Sequence, residues 1–382
     1  MKKSLLGGLV LLTASWAGAQ PEIQTALEAR LDFEDGKTVF QTFGDTGKVS
    51  LTREPANVKQ GRSALRFDYQ VAAKQLNALF LPGDVGAAAN VKSVSFWLRT
   101  DYATNLVVVL QEKDSGRHLA VCHSPGNVWL KVELGLADFS LATDKNDPTD
   151  GNGKLDMDMV EAVAIADFNQ IFAQSGDENL KKIIGVKTGP HSLFIDDFWA
   201  SNKPLTAPQG VDLAEPLVID QFVNQQVQWA VLGNVQVKRV TEKEMADNGG
   251  PEAVRNRGLE AGYKRKQGTI IGFMRRIAPG KLKDMSALKL TLACEKASTI
   301  MVQLEEISGG KYNAIVQVPG DSRRTEIRLL TKLFGKADDS KDDNDRLDLD
   351  QVKQIAVLDA TGLLGQAEGD NLFWISDVRV EK

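Results

Sequence analysis

The 382-residue sequence is short of the residues that staple small folds or build metal clusters. It has two cysteines and three histidines. A disulfide framework and a Cys/His zinc cluster are therefore excluded as organising principles. It also lacks a basic excess: 46 Lys+Arg face 51 Asp+Glu, for a formal net charge of −5. A general nucleic-acid binder needs surplus cations for phosphates, and an anionic membrane surface asks for the same. Aromatics make up only 7%. After the first twenty residues no apolar run approaches the 18 or so residues that a membrane-spanning helix needs. Gly-x-Ser-x-Gly, a phosphate loop and His-Glu-x-x-His are all missing. His118, His123 and His191 read as lone, structural histidines, and no carboxylate pair for glycoside hydrolysis stands out.

The N-terminus is an address. Lys2 and Lys3 precede an apolar run, Leu5–Leu12, and an Ala17-Gly18-Ala19 end. This is the pattern of a secretory signal peptide over residues 1–19, and the run is too short for an anchor. Its removal takes the net charge to −7. The mature protein is expected to be secreted, or periplasmic or at the cell surface. Cys122 and Cys294 lie in apolar stretches and read as buried free thiols, with an inter-domain disulfide as the alternative.

What the sequence has is a repeat. Leu155–Asp167 and Leu347–Asp359 share six of thirteen residues at an offset of 192, with three further aliphatic exchanges. Phe139 answers Phe334 and Ser93–Leu98 answers Ser286–Leu292. Leu193–Phe198 answers Phe373–Val378, and Asp32–Asp35 answers Gln221–Asn224. Two domains follow, 31–200 and 217–382, each of ordinary single-domain size. A lead-in at 20–30 precedes them. A linker at 201–216, rich in proline, separates them.

Within each half the dominant period is two. Leu65, Phe67 and Tyr69 alternate with Arg66, Asp68 and Gln70, and Leu288, Leu290 and Leu292 alternate with Lys289 and Thr291. Short alternating strands between turn clusters such as His123–Asn127 and Pro319–Ser322 predict an all-β protein of two tandem antiparallel jelly-roll sandwiches. Short helices are predicted only near Met159–Val163, Gln351–Ile355 and Glu242–Asn248.

The opening Leu31-Asp32-Phe33-Glu34-Asp35, the Ser-x-Phe-Trp-Leu strand and the Gly126–Leu134 segment ending at Phe139 form a set. The Leu-Asp-x-Asp-x-Val block and the closing Ile195-Asp196-Asp197-Phe198 complete it. Through these, each half resembles the galactose-binding-like jelly rolls of carbohydrate-binding modules, most like the family-11 type. The second half departs from that pattern. Val223 stands in place of Glu34, and Thr325–Leu329 replaces the tryptophan-bearing Trp129 segment. The resemblance implies a non-catalytic glycan-binding protein. It also implies a structural Ca²⁺ in domain 1 held by Glu34 and Asp197, with only Asp377 left of that pair in domain 2. The oxygen-rich stretch Asp144–Asp158 fails the EF-hand spacing and reads as a solvated loop.

Strand parity puts Trp97 and Arg99 on the face opposite Phe96. Arg66, Asp68 and Gln111 share the analogous parity, giving a candidate ligand-binding patch of Arg66, Asp68, Trp97, Arg99 and Gln111 that recognises a polysaccharide. Trp129 and Trp374 are expected to pack structurally, and Trp199 and Trp229 to fill a contact beside the linker. The alternative to a glycan is a structural or assembly component of the cell envelope that uses the same sandwiches to bind envelope proteins. A hydrolase with an unrecognised site is the third reading.

Overall fold

The computed structural model describes residues 30–114, 116–143, 150–176, 178–205, 218–222, 227–240, 258–342, 344–365 and 368–382. The signal segment, most of the lead-in and linker, and the predicted helix at Glu242–Asn248 lie outside them. The chain forms two compact units on either side of the segment 206–217. No helix among the described residues is long and apolar enough to cross a membrane.

Among the described residues the first unit has twelve strands: β1 (Arg30–Leu31), β2 (Gln41–Phe43), β3 (Lys48–Thr52), β4 (Ala64–Val71), β5 (Ala78–Pro82), β6 (Ser93–Thr100), β7 (Thr104–Glu112), β8 (Arg117–Ser124), β9 (Leu130–Gly135), β10 (Ser140–Leu141), β11 (Val160–Asp167) and β12 (Gly189–Ser201). One antiparallel sheet runs β3-β4-β12-β6-β9, with β1 beside the end of β12. The other runs β10-β8-β7-β11-β5-β2. Phe67, Phe96, Leu98, Leu106, Val108, Ile165 and Phe198 fill the space between them.

The second unit repeats this strand for strand: β13 (Val218–Asp220), β14 (Ala230–Leu232), β15 (Val235–Val240), β16 (Gly258–Arg265), β17 (Ile271–Arg276), β18 (Ala287–Cys294), β19 (Ser298–Glu306), β20 (Lys311–Val318), β21 (Thr325–Leu330), β22 (Gly335–Lys336), β23 (Val352–Asp359) and β24 (Gly369–Glu381). Its sheets run β15-β16-β24-β18-β21, with β13 beside β24, and β14-β17-β23-β19-β20-β22. Each strand number of the first unit plus twelve gives the second. Rare backbone shapes recur too. Phe33 and Phe222 have φ of 62° and 55°, and Asp197 and Asp377 both have 49°. The two aspartates sit at matching register breaks in the last strand. Side chains rarely adopt positive φ, so its recurrence at equivalent sites marks a shared backbone solution.

Two expectations are corrected. Val160–Asp167 and Val352–Asp359 are strands, not helices. Each is one of the two central strands of a six-stranded sheet and is buried along almost its whole length, so the apolar run lacks the alternation that marks a half-exposed strand. Only a 3₁₀ turn at Leu349–Gln351 precedes the second. The α-helices in domain 1 are α1 (Asn169–Ala173) and α2 (Glu178–Ile184). Trp229 is wholly buried in the core of domain 2. It stacks on Phe222 and donates to Asp220 Oδ2 at 2.9 Å, and so packs inside its own domain. Trp199 is 40% exposed. Cys122 and Cys294 are buried and free.

Candidate binding face and a buried carboxylate–imidazole group

The sheet β3-β4-β12-β6-β9 turns alternate residues away from the core, because side chains on a strand point to opposite faces. Register then sets the rows on that outer face. Arg66 lies opposite Phe194, which lies opposite Arg99. One step along β12, Asp196 lies opposite Trp97, and Trp97 opposite Lys131. The Phe194 ring is buried beneath the guanidiniums of Arg66 and Arg99, at 5.9 and 5.4 Å from its centroid. The half-buried Trp97 ring lies between two ammonium groups, Lys59 at 4.4 Å and Lys131 at 5.5 Å. Cations seek the negative faces of aromatic rings, so the alternation is mutually stabilising.

Polar groups hold this arrangement in place. Arg66 Nε donates to both oxygens of Asp68 at 2.9 and 3.0 Å, and Ser192 Oγ donates to Asp68 at 2.5 Å. Arg99 donates to Asn57 at 2.6 Å. Asp196 accepts the backbone N–H groups of Lys59 and Gln60, both at 2.8 Å, and so anchors the β3–β4 loop over the face. Burial raises the pKa of Asp196, against the pull of those two amides. The Trp97 indole nitrogen has no hydrogen-bond acceptor. Beside the face the β3–β4 loop lines a surface cavity of 390 Å³ with Arg53, Pro55, Val58, Lys59, Gly61 and Arg62.

Four of the five predicted ligand residues, Arg66, Asp68, Trp97 and Arg99, thus share one face. Gln111 does not join them. It lies on β7 in the other sheet, nearly buried, where it accepts from Arg117 at 2.8 Å. Parity was read correctly along each strand, but parity alone does not say which of two sheets a strand joins. The outer side of that other sheet carries Val107, Val109, Leu119, Ala162, Ala164 and Ala166, all little exposed, and no tryptophan on β7, β8 or β11.

The residues expected to hold Ca²⁺ are engaged by donors. Glu34 Oε1 accepts the backbone N–H groups of Arg62 at 2.8 Å and Ser63 at 2.9 Å, and its pKa is lowered, chiefly by the Arg62 amide. Asp197 pairs with Arg30 at 2.5 Å and Lys131 at 3.8 Å.

A different group has ligand geometry. Glu112 ends β7, His118 lies at the start of β8, and Asp150 comes from the segment before β11. One ligand atom from each lies within 4.8 Å of the others. His118 Nε2 stands 3.3 Å from Asp150 Oδ2 and 3.6 Å from Glu112 Oε2. The three side chains are 1–3% exposed. Burial pushes the Glu112 carboxyl up to about 7 and lowers the His118 pKa. Sequence reading took His118 as a lone histidine and Asp150 as part of a loop, and passed over Glu112. The signal it missed was a buried glutamate at a hairpin whose partners follow 6 and 38 residues later.

No family model matches the chain, and no curated protein matches it. Among solved structures it resembles the family-11 carbohydrate-binding module of a cellulosomal cellulase of Clostridium thermocellum. The identity is 13% and the TM-score 0.35, over 47% of this chain and 98% of that one. The family-11 module from the same organism in complex with a β-1,3-1,4-mixed-linked tetrasaccharide gives 12% and 0.34, over 46% and 96%. A tandem of family-22 modules from Paenibacillus barcinonensis gives 12% and 0.29, over 92% and 96%. The fold assignment, two tandem antiparallel β-sandwiches, rests on the strand order above.

Proposed function

We propose that this is an exported, non-catalytic carbohydrate-binding protein that takes a polysaccharide on the outer β3-β4-β12-β6-β9 face of domain 1. The observation that carries the reading is the Trp97 row. A half-buried aromatic ring, its indole N–H buried and without an acceptor, lies beside planar guanidinium and carboxylate groups held in fixed positions. Sugars offer apolar ring faces for stacking and hydroxyls that both donate and accept, so this mixture suits them. Lys59 sits on an exposed loop and is the group that moves to open the ring. Domain 2 has Thr291 at the Trp97 position and Ala293 at the Arg99 position. Its Trp374, equivalent to Phe194, is tied to Glu260 at 2.8 Å. These differences favour domain 1 for the glycan site.

The test is retention of the mature protein on a panel of insoluble polysaccharides, mixed-linked β-glucan included, beside Trp97→Ala. Retention on one polymer, lost in the variant, is the expected result. Retention on none favours the envelope-assembly alternative and a protein partner.

A further inference from the structure

The Glu112–His118–Asp150 group poses an electrostatic problem. Two carboxylates converge in a space closed to water, with a single imidazole between them. Among the described residues no lysine or arginine forms an ion pair with either. Glu112 Oε1 accepts the Asp156 N–H at 2.5 Å, but Oε2 is buried and has no partner. Buried charge that is neither paired nor hydrogen-bonded is strongly unfavourable. Asp150 is answered on both oxygens, by the Asn152 N–H at 2.9 Å and by His118 Nε2 at 3.3 Å; that nitrogen carries at most one proton, so Glu112 Oε2 is the oxygen left without a donor.

Domain 2 contains the same cradle with one change. Glu306, Gly310, Tyr312 and Asp342 stand where Glu112, Gly116, His118 and Asp150 stand. The Asp348 N–H caps Glu306 Oε1 at 2.6 Å as Asp156 caps Glu112. Asn344 and Asn152 make the same bonds, to Asp348 and Asp156. Both glycines leave room for the carboxylate as it is placed, since a Cβ at Gly116 would lie 2.0 Å from Glu112 Oε2 and one at Gly310 would lie 2.2 Å from Glu306 Oε2, and either carboxylate would have to turn away. In domain 2, however, both carboxylates receive protons: the Tyr312 hydroxyl donates to Asp342, and Ser308 Oγ donates to Glu306 Oε2 at 3.1 Å. Tyrosine closes the cradle with a hydrogen bond. Histidine leaves it with a nitrogen ligand and an unanswered oxygen.

We propose that Glu112, His118 and Asp150 bind one divalent d-block cation, zinc for preference, which ties the β7–β8 hairpin to the segment before β11. An imidazole nitrogen with two carboxylate oxygens suits zinc, whereas Ca²⁺ and Mg²⁺ take all-oxygen shells. Metal–ligand bonds of about 2.0–2.1 Å in a tetrahedron set ligand atoms about 3.3 Å apart. That is the Nε2–Asp150 separation, and the Glu112 oxygen is a few tenths of an ångström further out. Three protein ligands leave one corner of the tetrahedron to a water molecule bound with the metal, and the 1–3% exposure of the side chains leaves no room for a substrate, so the role proposed is to brace the hairpin.

The test uses the untagged full chain, stripped with a chelator, titrated with Zn²⁺, gel-filtered and assayed for metal. The expected result is one zinc per chain. At zinc about 100-fold above Kd, the melting temperature should rise by about 5–10 °C. His118→Tyr, which copies domain 2, should fold and bind none. Should that variant fail to fold, Glu112→Gln carries the same comparison. Co²⁺ in place of zinc should give the visible spectrum of a four-coordinate nitrogen–oxygen site. No retained zinc in the folded wild type, or zinc kept by His118→Tyr, would overturn the proposal. Uptake of Ca²⁺ but not Zn²⁺ would overturn the assignment to a d-block metal.

Discussion

Domain 1 and domain 2 solve the same buried-charge problem by different means. Both sandwiches place an aspartate at the end of their central strand, Asp167 and Asp359, each almost wholly buried. In domain 1 Asp167 is held by neutral donors: Tyr69 at 2.8 Å, Thr104 at 2.6 Å, the Asn169 amide at 2.8 Å, and Tyr102. In domain 2 a tyrosine and an amide remain, from Tyr263 and Thr361, but Arg265 adds a full charge at 2.8 Å where domain 1 has Val71. The acidic cradle at the other end of the sandwich shows the reverse, since domain 2 closes it with a neutral tyrosine and domain 1 keeps a histidine. A duplicated fold preserves the positions of its buried acids because the backbone is built around them. The partner that neutralises each acid is free to change, provided that some partner is present.

Three substitutions sharpen that comparison. Arg265→Ala should have the largest effect. It leaves Asp359 buried with its cation removed and should cost domain 2 about 3–5 kcal/mol in urea unfolding. A loss below about 1 kcal/mol would mean that the hydroxyls suffice in domain 2 as they do in domain 1.

The second is His123→Gln. His123 is buried in domain 1, with Nδ1 on Asn105 at 3.0 Å and Nε2 unpartnered, and burial lowers its pKa to about 4. Domain 2 has the non-titrating pair Thr299–Gln317 in the same register. The unfolded chain takes up a proton near pH 6.5 that the folded one refuses until about 4. The histidine's contribution is therefore present above pH 6.5 and is lost as pH falls to 4, by about 3 kcal/mol. Removal of this loss by His123→Gln should appear as a flatter stability–pH curve for domain 1 alone. An unchanged curve would contradict the assignment.

The smallest effect is expected on the outer face of domain 2. Lys289 bridges Glu326 at 3.2 Å and Glu381 at 3.3 Å on the surface. Lys289→Ala should leave the urea-unfolding midpoint of domain 2 almost unchanged, and whatever difference there is should vanish in high salt.

Much of this was legible in the sequence, because it followed from period and repetition. Alternation placed Phe67, Phe96 and Leu98 inward and Trp97 and Arg99 outward, and the Leu-Asp-x-Asp-x-Val block located the duplication. Phe139 and Phe334 both follow a 3₁₀ turn, as their pairing implied. Hidden were the features that depend on contacts between distant segments. Met159–Val163, at the start of β11, read as helical because a strand buried on both faces has no alternation to show. Gln111 was assigned to the wrong sheet because side-chain parity is local and sheet membership is not. The Glu112–His118–Asp150 group needs a hairpin and a loop to meet, and spacing alone does not report that meeting. The tryptophans divided the same way: Trp97 was placed by its strand, and Trp229 was misplaced by its nearness to the linker.

The most direct test of the account is affinity electrophoresis of the full chain through gels containing the soluble form of whichever polysaccharide retains it, with Trp97→Ala and Trp374→Ala in parallel lanes. These variants remove one ring from the equivalent outer face of each domain. The account predicts that Trp97→Ala abolishes the retardation and Trp374→Ala leaves it intact. Retardation that survives Trp97→Ala and disappears with Trp374→Ala would contradict it, and would move the glycan site to domain 2.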